Sequence, residues 1–248
     1  MVDNKGSEFF VGYLPMPERL GRFYKALVVF LLAIGAGLAY WVAASQQSVG
    51  QGQWLVAETR TVSGFLSNDP YPILHATGDK PRSVMLVIQG KQAAHAIVNP
   101  LAGSHVSITG VPIQRGGWEL LELRGADAII ASQAPPGTIS PKTLPLQNVE
   151  LSGEIVDSKC FMGVMKPGAG KVHRACAALC IAGGIPPMLV VAQKDGARYG
   201  YLLVDSNGET AASMVIDDVA VPVRVAGQLE RRGDLTYLKI NPDGIERI

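Results

Sequence analysis

The sequence predicts a mainly β protein that begins with a single transmembrane helix and continues as two tandem five-stranded barrels. Three observations support this prediction. An uncharged apolar run occupies residues 26–44, the chain from residue 60 onward repeats one order of strands and turns, and only the second copy contains a helical Cys/His insertion. Each observation predicts a different part of the architecture.

The apolar run at 26–44 contains 19 residues and no charged side chain. At about 1.5 Å of rise per residue, a helix of this length spans roughly 28 Å, the thickness of a bilayer core. Tyr40 and Trp41 lie at its C-terminal end, where aromatic rings favour the headgroup layer. Signal-peptide apolar regions are shorter, usually about 7–15 residues, so the pattern favours an uncleaved anchor.

The charges that flank this run predict its orientation. Arg19, Arg22 and Lys25 precede it, whereas residues 45–57 carry no charge. Because positively charged flanks stay in the cytoplasm, the N-terminus is expected there and everything after Ser45 on the outer side. In a bacterium this describes a single-pass inner-membrane protein with its bulk in the periplasm.

Changes in composition divide the chain into segments. A stretch rich in Gln and Gly follows the apolar run, and a second stretch contains four prolines, which predict a stiff spacer that resists strand pairing. The predicted organisation is a cytoplasmic arm (1–25), a transmembrane helix (26–44), a linker (45–59), a first barrel domain (60–131), a Pro-rich linker (132–146) and a second barrel domain (147–248) with an insertion at 160–190.

The two halves after residue 60 match each other in order. Gly110 and Gly227 each follow alternating apolar residues, and Gly116 and Gly233 mark the same hairpin turn. Each copy reads as five short strands with a short helical segment between the third and the fourth. This order is typical of an OB-like barrel, and two matched copies support one fold used twice.

The insertion in the second copy contains the reactive side chains. Cys160, His173, Cys176 and Cys180 include all three cysteines of the chain, and the last three are spaced to share one face of a helix. One interpretation is a tetrahedral metal site with a structural zinc composition, for which iron and copper are the other candidates. Asp157 lies three residues before Cys160 and is a candidate hydrogen-bond partner of His173.

A disulfide is the alternative interpretation of the same residues. In an oxidising compartment thiols tend to pair with each other before they bind zinc. Cys160 paired with Cys176 or with Cys180 would connect a strand end to the helix and leave one thiol near His173. The sequence leaves both interpretations open.

Three parts of this region carry a resemblance: GEIVDSKC ending at Cys160, His173-Arg-Ala-Cys176, and CIAGGIPP beginning at Cys180. They are similar to a group of bacterial exported OB-like proteins with a G-E-(I/V)-V-D-x-x-C start and an H-x-x-C-A-x-x-C continuation. The resemblance covers residues 151–248 and implies a small periplasmic domain, often encoded near membrane redox enzymes. It implies no established activity.

The function predicted from these features is that of an accessory subunit of a membrane complex, of respiratory or redox type, with integral membrane subunits as partners. No Ser-His-Asp order, G-x-S-x-G motif or carboxylate pair indicates an enzyme. A net charge of +1 and a charged content of 17% argue against nucleic acid as a partner. The alternative function is metal binding or electron transfer through the Cys/His cluster.

Overall fold

The computed structural model of the chain describes residues 18–45, 52–78, 82–135, 141–193 and 197–248. The chain divides into two compact units, residues 1–48 and 49–248. Among the described residues, the first unit contains one helix and the second contains all of the strands.

The helix of the first unit is α1 (Glu18–Ser45). Within its residues 20–44, an 18-residue window has a mean hydropathy of 2.3 and is not buried by protein. The structure thus confirms a helix that is long and apolar enough to cross a membrane. This helix begins earlier than predicted, because residues 18–25 of the predicted arm are already helical. The rest of that arm, 1–17, lies outside the described residues.

Five strands of the first half close into a barrel. The elements are β1 (Gln53–Trp54), β2 (Arg60–Ser67), β3 (Ile73–Ala76), β4 (Arg82–Ile88), α2 (His95–Val98), β5 (His105–Arg115), β6 (Trp118–Leu123) and β7 (Ile129–Ala131). The barrel is closed by the pairs β2–β3, β3–β4, β4–β6, β6–β5 and β5–β2, of which only β4–β6 is parallel. β1 and β7 pair with β5 outside this circuit.

The second half repeats this topology. Its elements are β8 (Thr143–Asp157), α3 (Arg174–Ala182), β9 (Pro187–Ala192), β10 (Arg198–Val204), α4 (Ala212–Val215), β11 (Pro222–Arg232) and β12 (Leu235–Arg247). The pairs β8–β9, β9–β10, β10–β12, β12–β11 and β11–β8 close the barrel, and only β10–β12 is parallel. Both predicted barrels are confirmed, and α2 and α4 are the short helical segments expected between the third and the fourth strand of each copy.

One pair of glycines shows how closely the two barrels correspond. Gly64 on β2 and Gly153 on β8 occupy the same place in the first strand of each barrel. A Cβ added at Gly64 would lie 2.2 Å from the carbonyl oxygen of His75, and one added at Gly153 would lie 2.4 Å from that of Val190. In both barrels the first strand therefore approaches the second too closely for any side chain.

Two segments predicted as linkers contribute strands. β8 begins at Thr143, inside the Pro-rich linker predicted for 132–146, and Pro145 takes part in its pairing with β11. Pro145 lies next to a register shift in this pair, and such irregularities tolerate the missing N–H of proline. Similarly, β1 lies inside the linker predicted for 45–59 and pairs with the end of β5.

Buried apolar side chains form three clusters, one within each barrel and one between the barrels. We call the third the seam cluster. Its main members are Tyr71, Ile73, Met85, Val87, Ile113 and Leu120 from the first barrel, Cys160, Phe161, Met162, Cys180 and Ile185 from the insertion, and Val156, Met188, Val190, Leu202, Val204, Leu235 and Tyr237 from the second barrel.

Strand β4 shows why the barrels pack together. Val84 and Leu86 belong to the cluster within the first barrel, whereas Met85 and Val87 belong to the seam cluster. Because successive side chains of a strand point to opposite faces, β4 is buried on both faces. The second barrel and the insertion cover its outer face.

A buried ion pair crosses the seam. Lys159 Nζ lies 2.7 Å from Glu122 Oε2 and donates hydrogen bonds to the carbonyl oxygens of Ile88 at 2.8 Å and Gly90 at 2.9 Å. The side chains of Lys159 and Glu122 are 3% and 5% exposed. Lys159 directly precedes the insertion, and its three partners belong to the first barrel. The pair therefore attaches the start of the insertion to the first barrel.

Tyr71 makes a second polar contact across the seam. Its hydroxyl donates a hydrogen bond to the carbonyl oxygen of Leu203 and accepts one from the backbone N–H of Ala211 at 3.4 Å. Burial raises the pKa of Tyr71 to about 12. The phenol is therefore held in its neutral form across the ordinary pH range.

Replacing Lys159 with Met should lower the free energy of unfolding by about 3–5 kcal/mol, because the Glu122 carboxylate is left buried without its partner. The double variant Lys159→Met/Glu122→Leu removes both charges and should recover part of this loss. Arg224→Met is a matched control, since Arg224 and Glu246 form a pair that is 43% and 67% exposed, and exposed pairs contribute at most about 1 kcal/mol. Denaturant titration measures the free energy of unfolding of all three variants. A Lys159→Met chain as stable as the wild type would contradict the expectation.

The stability of the chain should fall at high pH because of Tyr71. Its phenol has an ordinary pKa of 10.0 and a pKa of about 12 in the fold, so the folded state binds the proton more tightly. A contribution of up to about 3 kcal/mol is present below about pH 10 and is lost as the pH rises to about 12. Tyr71→Phe should be less stable at neutral pH but show a smaller decline across this window. Equal declines in denaturation midpoint for both chains would argue against this role.

Candidate metal centre

The insertion folds as three short helical pieces that bring the cysteines together. After β8 ends, a π-helical turn (Cys160–Val164) and a 3-10 turn (Lys171–His173) lead into α3. The alanine-rich stretch of α3 favours helix, and Gly183 and Gly184 follow its last residue. His173 immediately precedes α3, whereas Cys176 and Cys180 lie on it, so the helix predicted from the spacing of these residues contains two of the three.

The three thiols lie close together. The Sγ atoms of Cys160, Cys176 and Cys180 lie within 4.8 Å of one another. Cys176 and Cys180 are one turn apart on α3, and the π-helical turn places Cys160 against them. Cys160 and Cys180 are buried, whereas Cys176 is partly exposed, and all three thiols are free.

His173 belongs to a second group of ligand atoms that shares Cys160. His173 Nε2 lies 3.0 Å from Asp157 Oδ2, and both side chains are buried. Asp157 Oδ1 accepts a hydrogen bond from the backbone N–H of Cys160 at 2.8 Å. One ligand atom of each of these three residues lies within 4.8 Å of the others. The hydrogen bond expected between Asp157 and His173 is therefore present.

The four ligands predicted from the sequence are thus divided between two overlapping groups. Three thiols form one group, and His173 joins Cys160 and Asp157 in the other. A carboxylate that holds one ring nitrogen of a histidine orients the ring and leaves the other nitrogen for a metal ion. With Nε2 held by Asp157, Nδ1 is the nitrogen of His173 that could bind a metal.

The two buried thiols have opposite pKa shifts. The pKa of Cys160 is raised because its S–H donates a hydrogen bond to Cys180 and because burial disfavours a thiolate. The same hydrogen bond lowers the pKa of Cys180, and the positive charge of Lys91 acts in the same direction. The interaction between the two thiols therefore favours a thiolate at Cys180 over one at Cys160.

Lys91 of the first barrel completes the cluster. Its Nζ lies 2.7 Å from Cys176 Sγ and 3.9 Å from Cys180 Sγ. The contact with Cys176 raises the pKa of Lys91, so a full positive charge stands beside the sulfur atoms. Lys91 lies in the turn after β4, and the matching turn of the second barrel has Gly208 at this position. The isolated bridges Val87–Ala93 and Val204–Thr210 define this correspondence.

Three charged residues around the site were missed at the sequence level. Lys159 follows the polar residues Asp157 and Ser158, where a lysine is typical of an exposed position. Glu122 lies in the strand WELLEL, where a charged side chain resembles an outward-facing residue. Lys91 lies in a Gly-Lys-Gln turn that is typical of a protein surface. Only the packing of the two barrels brings these residues to the insertion.

The disulfide interpretation stays a prediction. All three sulfur atoms lie together, so both predicted partners of Cys160, Cys176 and Cys180, are close to it. Either pairing would connect the π-helical turn to α3 and leave the third thiol unpaired.

Comparison of the chain with protein-family models, with curated proteins and with solved structures found no match. The function must therefore be inferred from the chemistry of the cluster and from its surroundings.

Proposed function

We propose that this chain is a membrane-anchored metal-binding protein in which Cys160, Cys176 and Cys180 hold a soft cation. The observation that carries this proposal is the meeting of the three Sγ atoms within 4.8 Å. These are the only cysteines in 248 residues, and they come from two separate segments of the insertion. Thiolates are the protein ligands that copper(I) and zinc prefer.

Copper(I) suits this arrangement better than zinc or iron. Structural zinc sites almost always have four ligands, and the fourth candidate, His173, lies in the Asp157 group rather than among the thiols. Iron–sulfur clusters ordinarily use four cysteines, one more than the chain contains. Copper(I) is a soft ion that thiolate ligands select. Zinc is the alternative in which His173 supplies the fourth ligand.

The surroundings of the thiols support a cationic ligand. Buried thiolates are costly to desolvate unless a positive charge compensates them. Lys91 supplies one such charge, at 2.7 Å from Cys176 Sγ. A metal ion bound by all three thiolates would supply further positive charge. Binding requires Cys160 to lose its proton, so metal affinity should fall as the pH is lowered.

The full-length chain, purified in detergent without oxygen, should bind about one copper(I) ion. Replacing any one cysteine with Ser removes a thiolate ligand and should lower the copper(I) affinity by more than about 100-fold. The loss of a residue that only supports a ligand usually lowers metal affinity by about 10- to 100-fold. His173→Ala should weaken zinc binding far more than copper(I) binding. Val172→Ser is the control, because Val172 lies in the insertion but is 85% exposed.

Competition with a copper(I) chelator measures the affinity, and elemental analysis with a thiol count under denaturing conditions measures the stoichiometry. Three free thiols and one bound ion per chain are expected. One free thiol and no metal would rule out the proposal in favour of the disulfide.

The proposed location of the barrels is the periplasmic face of a bacterial inner membrane, with α1 as the anchor. The support is the cluster Arg19, Arg22 and Lys25 on one side of the apolar segment and the absence of charge over 45–57 on the other. Protease added to the periplasmic face should cut after Ser45 and spare the N-terminal arm. A mature N-terminus near Ser45, in a protein that salt extracts, would refute the anchor.

A role as an accessory subunit of a membrane complex is the second candidate function. The observation that favours it is exposed apolar surface on the insertion, where Val172 is 85% and Leu179 is 60% exposed. Exposed apolar side chains near a reactive group often mark a contact site for a partner. Leu179 lies three residues after Cys176, so such a partner would sit beside the thiol cluster.

Gentle solubilisation of native membranes followed by sizing tests this candidate. The chain should migrate with other subunits, and Leu179→Glu should release it by placing a charge in the contact. Ile130→Glu is the control, since Ile130 is 66% exposed on β7 of the first barrel. Migration of the wild type as a free chain of 26.3 kDa would exclude the complex.

A further inference from the structure

The three cysteines differ in how easily another molecule reaches them. Cys176 is partly exposed, whereas Cys160 and Cys180 are 3% and 1% exposed. A reagent that approaches from solvent therefore meets Cys176 first. Thiol–disulfide exchange begins in this way, with an accessible thiolate attacking a sulfur of an external disulfide.

Cys176 also lies in electropositive surroundings. Lys91 Nζ is 2.7 Å from its Sγ. Cys176 is the third residue of α3, a nine-residue helix, and the N-terminal end of a helix carries partial positive charge. Reactive cysteines are typically found at partly exposed, electropositive positions of this kind.

Cys180 is placed to complete such an exchange. It lies one turn after Cys176 on the same face of α3, and its Sγ lies within 4.8 Å of the Sγ atoms of Cys176 and Cys160. Residues at i and i+4 of a helix have Cα atoms about 6 Å apart, which disulfides span, but their Cβ atoms are about 5–6 Å apart, so the backbone of α3 must shift for the two sulfur atoms to bond.

We propose that Cys176 and Cys180 carry out thiol–disulfide exchange, with Cys176 as the attacking thiol and Cys180 as the resolving thiol. The oxidant is a disulfide, R–S–S–R, of another molecule. The Cys176 thiolate attacks one of its sulfur atoms, the mixed disulfide Cys176–S–S–R forms and R–S⁻ leaves. The Cys180 thiolate then attacks Cys176 Sγ, a Cys176–Cys180 disulfide forms and the second R–S⁻ leaves.

The electrons and protons of this sequence balance. The two cysteines together lose two electrons, and the external disulfide gains them and becomes two thiols. The two protons that the cysteines give up are taken by the two leaving thiolates. The reverse sequence reduces the chain and oxidises two external thiols.

The surroundings of Cys176 indicate the class of disulfide that reacts. The partial exposure of Cys176 favours a small molecule, and the ammonium group of Lys91 beside it favours one with carboxylates near its sulfur atoms. This activity goes beyond metal binding. The two exclude each other within one molecule, because a Cys176–Cys180 disulfide removes two of the three metal-binding thiolates.

The test uses the reduced, metal-free, full-length chain in detergent with one equivalent of 5,5′-dithiobis(2-nitrobenzoate), a small disulfide with two carboxylates. Two coloured thiolates should be released per chain, and peptide mass spectrometry should find Cys176 bonded to Cys180. Cys176→Ser should abolish the fast release. Cys180→Ser should stop after one thiolate, with the mixed disulfide on Cys176. Cys160→Ser should retain both steps.

The contribution of Lys91 is tested by the charge of the reagent. Lys91→Gln should slow the first step roughly tenfold with the dianionic reagent, and clearly less with neutral 4,4′-dithiodipyridine. Lys171→Gln is the matched control, since Lys171 is an exposed lysine of the same insertion. A merely structural effect of Lys91 would slow both reagents equally, and thermal unfolding of each variant verifies that it is folded.

Two results would overturn the proposal: fast release from Cys176→Ser at the wild-type rate, or a wild-type product in which Cys160 is part of the disulfide. Copper(I) titration of Cys160→Ser separates this proposal from the metal site. Retained exchange with lost copper(I) binding supports both activities. A wild-type chain that binds copper(I) but releases no thiolate loses the exchange proposal alone, and one that exchanges without binding copper(I) loses the metal site alone.

Discussion

The ion pair between Lys159 and Glu122 determines where the reactive part of this chain lies. A lysine at 3% exposure is tolerated only with a carboxylate and carbonyl oxygens around it, and the first barrel supplies all of them. Cys160 is the next residue, so the position of the first thiol follows from this pair. At the other end of the insertion, the backbone N–H of Ala93 donates a hydrogen bond to the carbonyl oxygen of Gly183 at 3.0 Å. Both ends of the insertion are thereby attached to the first barrel.

The thiol cluster is consequently a property of both barrels together. The second barrel contributes the cysteines, and the first contributes Lys91 from the turn after β4. The two barrels build this turn with the same backbone bridge, but the matching residue in the second is Gly208. The two barrels thus have equivalent turns, and only the one that faces the insertion carries a lysine at this position. An isolated second barrel would keep the three thiols and lose the cation beside them.

The barrels could be predicted because the features that specify them lie close together in the sequence. Alternating apolar residues, hairpin glycines and the repeated order of elements are all visible in the sequence, and the density of Cys and His marks the site. The seam between the barrels was missed, although β4 (RSVMLVI) and β9 (PMLVVA) are apolar without alternation, which is typical of strands buried on both faces. The early start of β8 was missed because Pro145 argues against a strand, and the register shift that accommodates it depends on the partner strand. Lys91 was beyond prediction, since its role depends entirely on the packing of one barrel against the other.

The charge of the cluster connects its two proposed activities. The hydrogen bond from Cys160 lowers the pKa of Cys180, and a thiolate formed there would place negative charge in surroundings that are largely apolar. Lys91 compensates this charge from the side that faces solvent. A soft metal ion reduces the charge of the thiolates by binding them, whereas an internal disulfide consumes two of them. The burial of the thiols beside the single ammonium group of Lys91 therefore favours both metal binding and disulfide formation. Because Cys176 is the exposed thiol, either event begins at its sulfur atom.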